Sequence, residues 1–336
     1  MVNAYVKAVS YFLPETELTN DDLSKAFPEW SVEKIGAKTG IQTRHIAGED
    51  TFSSDLAAAA AERVFSESGV GPDDIDFLIV CTQSADYYMP ITAGIVHRKL
   101  GLRYGIGATD FNLGCSGYIY GLGLAKGLIE TSIATQVLLI TVDTYTKYLN
   151  EEDKSVRTIF GDGAAATIIA ATNGEQRIQA PVYGTDGSGA GSLIVPRGGL
   201  GDGTKIEPKS APEARSLTPS RYDLYMDGPA IFNFTLDVVP PTVTEVLARS
   251  NERLEDIDLF VFHQANAFML GHLRKKLGID EEKFFISMEN SGNTVSSTIP
   301  IALAEAERAG ALTRGMRVML LGFGVGLSWG GLTLTW

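Results

Sequence analysis

The sequence predicts an α/β protein built from two similar halves packed back to back. Three observations predict it: a weak internal repeat, short apolar runs without polar alternation, and helix signals ahead of each repeat unit. The repeat sets Pro72-Asp73-Asp74-Ile75-Asp76-Phe77-Leu78-Ile79-Val80-Cys81 beside Leu254-Glu255-Asp256-Ile257-Asp258-Leu259-Phe260-Val261-Phe262-His263, 182 residues later (Asp76 to Asp258). A second match, Val137-Leu138-Leu139-Ile140 with Val318-Met319-Leu320-Leu321, lies 181 residues apart (Val137 to Val318). Two matches at nearly one offset indicate duplication. Each run is continuously apolar, the pattern of a strand buried on both faces.

The remaining elements follow in chain order. The opening stretch, residues 1–17, lacks the basic, apolar and small-residue regions of a secretory signal and reads as a first strand. Thr51 to Ser68 has a Ser/Asp start, an alanine-rich middle and Gly69 as its stop, which are helix signals. An apolar helix with Gly117, Gly121, Gly123 and Gly127 follows Cys115, and its composition predicts burial. Gly161-Asp162-Gly163 reads as a turn into a strand over 164–170. Residues 185–220 are rich in Gly, Pro and Ser with little periodicity, a long excursion suited to covering a site. Thr242 to Asn251 is the second half's counterpart of the helix over 51–68. The halves are placed at 1–171 and 172–336, with the join inside 172–230.

Composition bounds the function. The chain has 336 residues, 44% of them hydrophobic and 21% charged, with a net charge of −13. No apolar run reaches the roughly 20 residues of a membrane helix, so no membrane span is expected, and the protein reads as cytoplasmic. The acidity argues against nucleic acid. Two cysteines, Cys81 and Cys115, provide neither a disulfide framework nor a metal-ligand spacing, and no metal is expected.

Three residues stand out chemically. Cys115 lies in Asn112-Leu113-Gly114-Cys115-Ser116-Gly117, at the start of the glycine-rich helix, where unpaired N–H groups and the helix dipole favour a thiolate. His263 ends the second apolar run, and Asn293 lies in Ser291-Gly292-Asn293-Thr294 before another helix. Singly, each has a structural reading as core cysteine, strand-end histidine or turn asparagine. Their order, each at a strand-to-helix turn, gathers them at one face of the sheets as a nucleophile with two hydrogen-bond donors. Gly322-Phe323-Gly324-Val325-Gly326, read as a loop after a strand, is a candidate oxyanion hole with the Cys115 N–H as second donor. Cys81 reads as core.

Together the motifs resemble the thiolase superfamily, specifically the ketoacyl synthase III family: Trp30, Lys38-Thr39-Gly40-Ile41, the Gly-Cys-Ser-Gly at 114–117, Phe160 to Ala164, His263 to Asn266, Ser291 to Thr294, and the closing stretch from Gly322. The resemblance implies a thiolase-like fold layered αβαβα, each half with a mixed, mainly parallel sheet. It implies that Cys115 accepts an acyl group from coenzyme A, while His263 and Asn293 hold the thioester carbonyl of a malonyl group as it loses carbon dioxide and attacks. Coenzyme A is then a substrate and no cofactor is implied. Trp30 resembles a residue that stacks on adenine, with Lys38 and Lys154 at phosphate-contacting positions. Met89, reaching across a homodimer, and Phe160 resemble acyl-pocket residues. Thr39, Tyr145, Ile159, Gly228, Phe232, Asn266, Gly324 and Val325 are the other substrate-binding positions implied, and Arg274, Lys275 and Lys276 are left to dock an acidic acyl carrier protein.

Several positions depart from the family pattern. Lys38 and Lys154 replace arginines and lose the planar fork. Phe268 and Asn233 replace basic residues, Pro229 is unusual beside the pantetheine tunnel, and Tyr145 stands where leucine is usual. Acyl transfer to an amine or hydroxyl is the main alternative reaction, with a Cys-His-Asn peptidase and a non-catalytic scaffold as more distant ones.

Overall fold

The computed structural model describes residues 2–196, 198–200 and 222–336. Its first half runs β1 (Val2–Phe12), β2 (Thr16–Thr19), α1 (Asn20–Ala26), α2 (Val32–Thr39), β3 (Thr43–Ile46), α3 (Ser53–Ser68), β4 (Phe77–Cys81), α4 (Thr92–Leu100), β5 (Gly107–Phe111), α5 (Gly117–Glu130), β6 (Gln136–Asp143), α6 (Lys154–Arg157) and β7 (Gly163–Asn173). The second runs β8 (Val182–Thr185), β9 (Leu193–Ile194), β10 (Tyr225–Met226), α7 (Gly228–Ser250), β11 (Leu259–Phe262), α8 (Ala267–Leu277), α9 (Thr298–Arg308), β12 (Arg317–Gly324) and β13 (Ser328–Thr335).

The repeat is visible in the strand register. In the first half β4 pairs in parallel with β6, Phe77 opposite Val137; in the second β11 pairs in parallel with β12, Leu259 opposite Val318. The segments matched in the sequence are thus the paired central strands of each half. The first sheet has the order β1-β7-β6-β4-β5 and the second, read the same way, β8-β13-β12-β11. A counterpart of β5 survives only as an isolated bridge from Phe260 to Phe284. Only β7 and β13 run against their sheets, so both are mixed and mainly parallel.

Side-chain alternation builds the layers. Along a strand successive residues face opposite ways. Ile79, Val137 and Leu139 of the first sheet and Leu259, Val261 and Leu320 of the second face one shared core around α5 and α9. Leu78, Val80, Leu138 and Ile140 turn outward to α3 and α4. Phe260, Phe262, Met319 and Leu321 turn outward to α7 and α8. Five layers result, and a strand such as Phe77–Cys81 must be apolar at both parities because helices cover both its faces.

Two helix boundaries differ from the expectation. The N-cap of α3 is Phe52, whose N–H donates to Asp55 Oδ2 at 2.9 Å, so the acidic residue works from the third helical position. The helix expected over 242–251 is the end of α7, which begins fourteen residues earlier at Gly228 and runs through Pro240 and Pro241. A proline there removes the N–H that would bond the carbonyl four residues back. Lys276 of α8 supplies the replacement, its Nζ donating to Leu236 O at 3.0 Å.

Of the expected excursion over 185–220, residues 197 and 201–220 lie outside the described residues. Its flanks converge: Leu193 pairs with Met226 and Ile194 with Tyr225. No described helix is long and apolar enough to cross a membrane.

Candidate active site

Cys115 sits between the halves. It precedes α5 by two residues and is 6% exposed. Gly322 and Gly324, expected in a loop, are the final residues of β12, and the loop proper begins at Val325. Their lack of side chains is what lets this strand lie against Cys115: a Cβ on Gly322 would stand 2.7 Å from Cys115 O, and one on Gly324 2.7 Å from Cys115 Sγ. Burial pushes the thiol up to about 12, opposed by hydrogen bonds from the Val325 and Cys115 N–H groups. The helix start and two amides therefore do not outweigh desolvation, and the thiol is protonated at neutral pH. The oxyanion donors were expected from the stretch 322–326, which contains Val325, and from the Cys115 N–H.

His263 follows β11, its N–H donating to Leu321 O at 2.8 Å. Nδ1 lies 2.7 Å from Thr298 Oγ1, the ring stands edge-on to Phe323, and the side chain is 2% exposed. Burial lowers its pKa to about 3, so the imidazole is neutral. The next residues have other tasks. Gln264 donates to Phe262 O at 2.7 Å and accepts from Ser287 N–H at 2.9 Å, and Asn266 caps α8 by accepting from Met269 N–H at 2.8 Å.

Asn293 is fixed from both sides. Its N–H donates to Ile159 O at 2.9 Å, and its O accepts from Gly161 N–H at 3.1 Å. Its Oδ1 accepts from Val295 N–H at 2.9 Å. An amide whose oxygen is so engaged presents Nδ2 as its remaining group, a pure donor. Cys115, His263 and Asn293 line one chamber of about 130 Å³, walled by Phe160, Met226, Ile231 and Phe323.

Buried groups that the sequence reading passed over hold this arrangement. Arg44, without exposure and with its pKa lowered to about 10 by burial, donates through Nε to Thr158 O at 3.0 Å, beneath the segment that pairs with Asn293. Asp162 is more than a turn residue: it accepts from the N–H groups of Ala47 and Thr146, each at 2.8 Å. Asp143, at the end of β6, accepts from Gln83 N–H at 2.8 Å and Ser296 Oγ–H at 2.6 Å, which ties the first half to the Asn293 loop. An acidic residue closing an apolar strand was the available signal for Asp143.

The other expected residues fall into distinct places. Ile159, Phe160, Gly228, Asn266 and Gly324 line the chamber. Tyr145 and Val325 pack in the cluster containing Cys115, with the Tyr145 hydroxyl donating to Gln83 Oε1 at 3.2 Å. Trp30 carries three ammonium groups over its ring, those of Lys38, Lys34 and Lys154 at 4.7, 5.4 and 5.8 Å from the centroid. Thr39 is buried, its hydroxyl donating to Ile35 O at 2.8 Å. Phe232 lies against Phe268 in the first turn of α8, the ring centroids 5.9 Å apart and tilted by 30°. Met89 is 82% exposed and is not among the residues that line the chamber. Arg274 binds Glu281 and Ile279 O, Lys276 donates to Leu236 O inside α7, and Lys275 has no side-chain partner among the described residues. No described group of three His, Cys, Asp or Glu could hold a metal ion.

Known proteins share both sequence and architecture with this chain. Residues 109–187 match the family described as 3-oxoacyl-[acyl-carrier-protein (ACP)] synthase III, and residues 247–336 match its C-terminal part. A beta-ketoacyl-[acyl-carrier-protein] synthase III of Clostridium tetani is 37% identical over the whole of both chains. A crystal structure of a 3-oxoacyl-(acyl-carrier-protein) synthase III superposes with a TM-score of 0.94 at 50% identity, covering 99% of this chain and 100% of that one. A 3-oxoacyl-(acyl-carrier protein) synthase from Burkholderia xenovorans superposes at 0.91 with 34% identity, covering 100% of this chain and 95% of that one.

Proposed function

The chain belongs to the 3-oxoacyl-[acyl-carrier-protein] synthase III family, and on that premise we propose how its own residues carry the condensation. The reaction joins an acyl group from acyl-coenzyme A to malonyl-acyl carrier protein, giving a 3-oxoacyl thioester and carbon dioxide. Coenzyme A thioester is a substrate.

Cys115 takes the acyl group, so that one difficult carbon–carbon bond formation becomes two easier steps. The Val325 and Cys115 N–H groups receive the oxyanion of the tetrahedral intermediate. Asn293, with the ring of His263 beside it, then holds the carbonyl of the malonyl thioester, and its Nδ2 donor faces the negative charge that develops as carbon dioxide leaves. The observation that carries this reading is the Asn293 side chain itself: Val295 N–H occupies its oxygen, so the group left for the chamber shared with Cys115 is a donor. Exclusion of water strengthens that donor.

Trp30, Lys38 and Lys154 form the outer contact for the nucleotide end of coenzyme A. The exposed ridge of Tyr87, Tyr88 and Met89 suits burial by a second copy of the chain, a homodimer in which Met89 meets the partner's acyl pocket. Lys275 is the cation left for the carrier protein.

The test is intact-protein mass spectrometry after incubation with a panel of acyl-coenzyme A thioesters, followed by labelled malonyl-acyl carrier protein. The wild type gains one acyl mass and then releases labelled carbon dioxide and 3-oxoacyl product; Cys115→Ala gains none. Absence of any acyl adduct on the wild type would remove the reading.

A further inference from the structure

Val325 opens the three-residue connection between Gly324, the last residue of β12, and Ser328, the first of β13, which face each other in the hairpin. Leu327, at the far end of the connection, exchanges two backbone hydrogen bonds with Asp186, at 2.8 and 2.9 Å. Val325 directs its N–H at the Cys115 sulfur and its carbonyl at Ser328, whose Oγ lies 2.9 Å from Val325 O. Ser328 Oγ is also 2.7 Å from Ser116 Oγ, and both serines are buried. A carbonyl oxygen only accepts and a hydroxyl has one proton, so the two contacts fit one arrangement: Ser328 donates to Val325 O and accepts from Ser116 O–H. Ser116 stands at the N-cap of α5 yet makes no side-chain cap bond. A serine in that place ordinarily accepts from an N–H of the first turn of its helix; this one turns its hydroxyl to β13 instead.

We propose that Ser116 and Ser328 are positioning residues for acyl transfer, two hydroxyls in series that hold the Val325 N–H against Cys115. This rests on the reading of Cys115 as the acyl-accepting nucleophile. The path closes on itself: from Cys115 Sγ to the Val325 N–H, from the Val325 carbonyl to Ser328, from Ser328 to Ser116, and one peptide bond back to Cys115. The donor is thereby held to the residue that carries the acyl group, and not only to its own strand. Gly326, at φ 143°, would otherwise leave the connection free to turn that N–H away. A donor fixed before charge develops needs no reorganisation during the reaction, which is what makes an oxyanion site effective.

Ser328→Ala removes the bond to Val325 O. Acylation of Cys115 by acyl-coenzyme A should slow by about 10- to 10²-fold, less than the roughly 10²–10³-fold of losing a donor outright. The KM for the acyl thioester stays within about twofold, because the clamp acts on the transition state. The infrared carbonyl band of a carbon-13-labelled acyl group on Cys115 moves to higher wavenumber as its hydrogen bond weakens. Decarboxylation of malonyl-acyl carrier protein, which draws on Asn293, stays within about threefold of wild type. Ser328→Thr keeps the hydroxyl and restores both rate and band. Ser116→Ala slows acylation less, and the double variant is no slower than Ser328→Ala, because hydroxyls in series do not add. Amide hydrogen exchange at Val325, faster in Ser328→Ala than in the wild type, reads the clamp without turnover. Wild-type acylation, band position or amide exchange in Ser328→Ala, equal loss of both half-reactions, failure of Ser328→Thr to rescue, or additive losses from the two serines would each overturn the proposal. Failure of Cys115 to acylate in the wild type would instead remove the functional reading, with exchange at Val325 still reporting on the two serines.

Discussion

A Cβ on Gly324 would stand 2.7 Å from Cys115 Sγ, closer than two such atoms approach in proteins. Strand β12 therefore reaches Cys115 only because it has no side chain there. Gly324→Ala is expected to cost about 1–3 kcal/mol of stability through overpacking. It should also abolish acyl labelling, because the methyl group takes the sulfur's place. Urea unfolding and acyl-adduct mass spectrometry check the two effects; labelling at the wild-type rate would show that the strand yields.

Asn293→Asp preserves an oxygen for Val295 N–H and replaces the Nδ2 donor with a second oxygen bearing negative charge. Acylation of Cys115 should continue, and condensation should fall by about 10²–10³-fold, the usual loss of one donor to a developing oxyanion. Single-turnover assays of each half-reaction separate the two. Undiminished condensation would take Asn293 out of the mechanism.

Lys276 serves α7, replacing the hydrogen bond that Pro240 cannot make. Lys276→Met should lower stability by about 1–2 kcal/mol and leave the KM for malonyl-acyl carrier protein within about twofold. Lys275→Glu should do the reverse, raising that KM in low salt with little change in melting temperature. If the two variants exchange these phenotypes, the assignment of α8 cations is wrong.

Two buried groups tilt stability with pH in opposite directions. His263 has its pKa lowered to about 3 by burial, so the unfolded chain binds its proton more readily; its contribution is complete above about pH 6.5 and is lost as pH falls toward 3. Asp143 has its pKa raised to about 7, again mainly by burial, so its contribution is complete below about pH 4 and is lost as pH rises through 7. Asp143→Asn should gain on the wild type by about 2–4 kcal/mol between pH 4 and 8, measured by urea unfolding at several pH values. A constant difference across that range would mean that Asp143 does not titrate there.

Much of the architecture was legible because burial on both faces of a strand demands an unbroken apolar run. Phe77–Cys81 and Leu259–Phe262 could be matched without knowing what they pair with. The long helix α7 was not legible, since Pro240 and Pro241 read locally as a break and the lysine that makes the break tolerable lies on α8, 36 residues past Pro240. Cys115, His263 and Asn293 were singled out from their places before or after helices, but the sequence reading expected a thiolate at Cys115. That expectation weighed the helix start, a local feature, without the desolvation imposed by β12 and its surroundings.

Composition, periodicity and the spaced motifs were enough to determine two α/β halves, a family likeness and three candidate site residues, because these depend on neighbours within a few residues. Only the folded chain decided that burial raises the pKa of the thiol, that Val295 N–H engages the Asn293 side-chain oxygen, and that Thr298 lies against His263 Nδ1. Each of those follows from the charge state or the direction of one polar group, and both are set by burial and by partners distant in the chain.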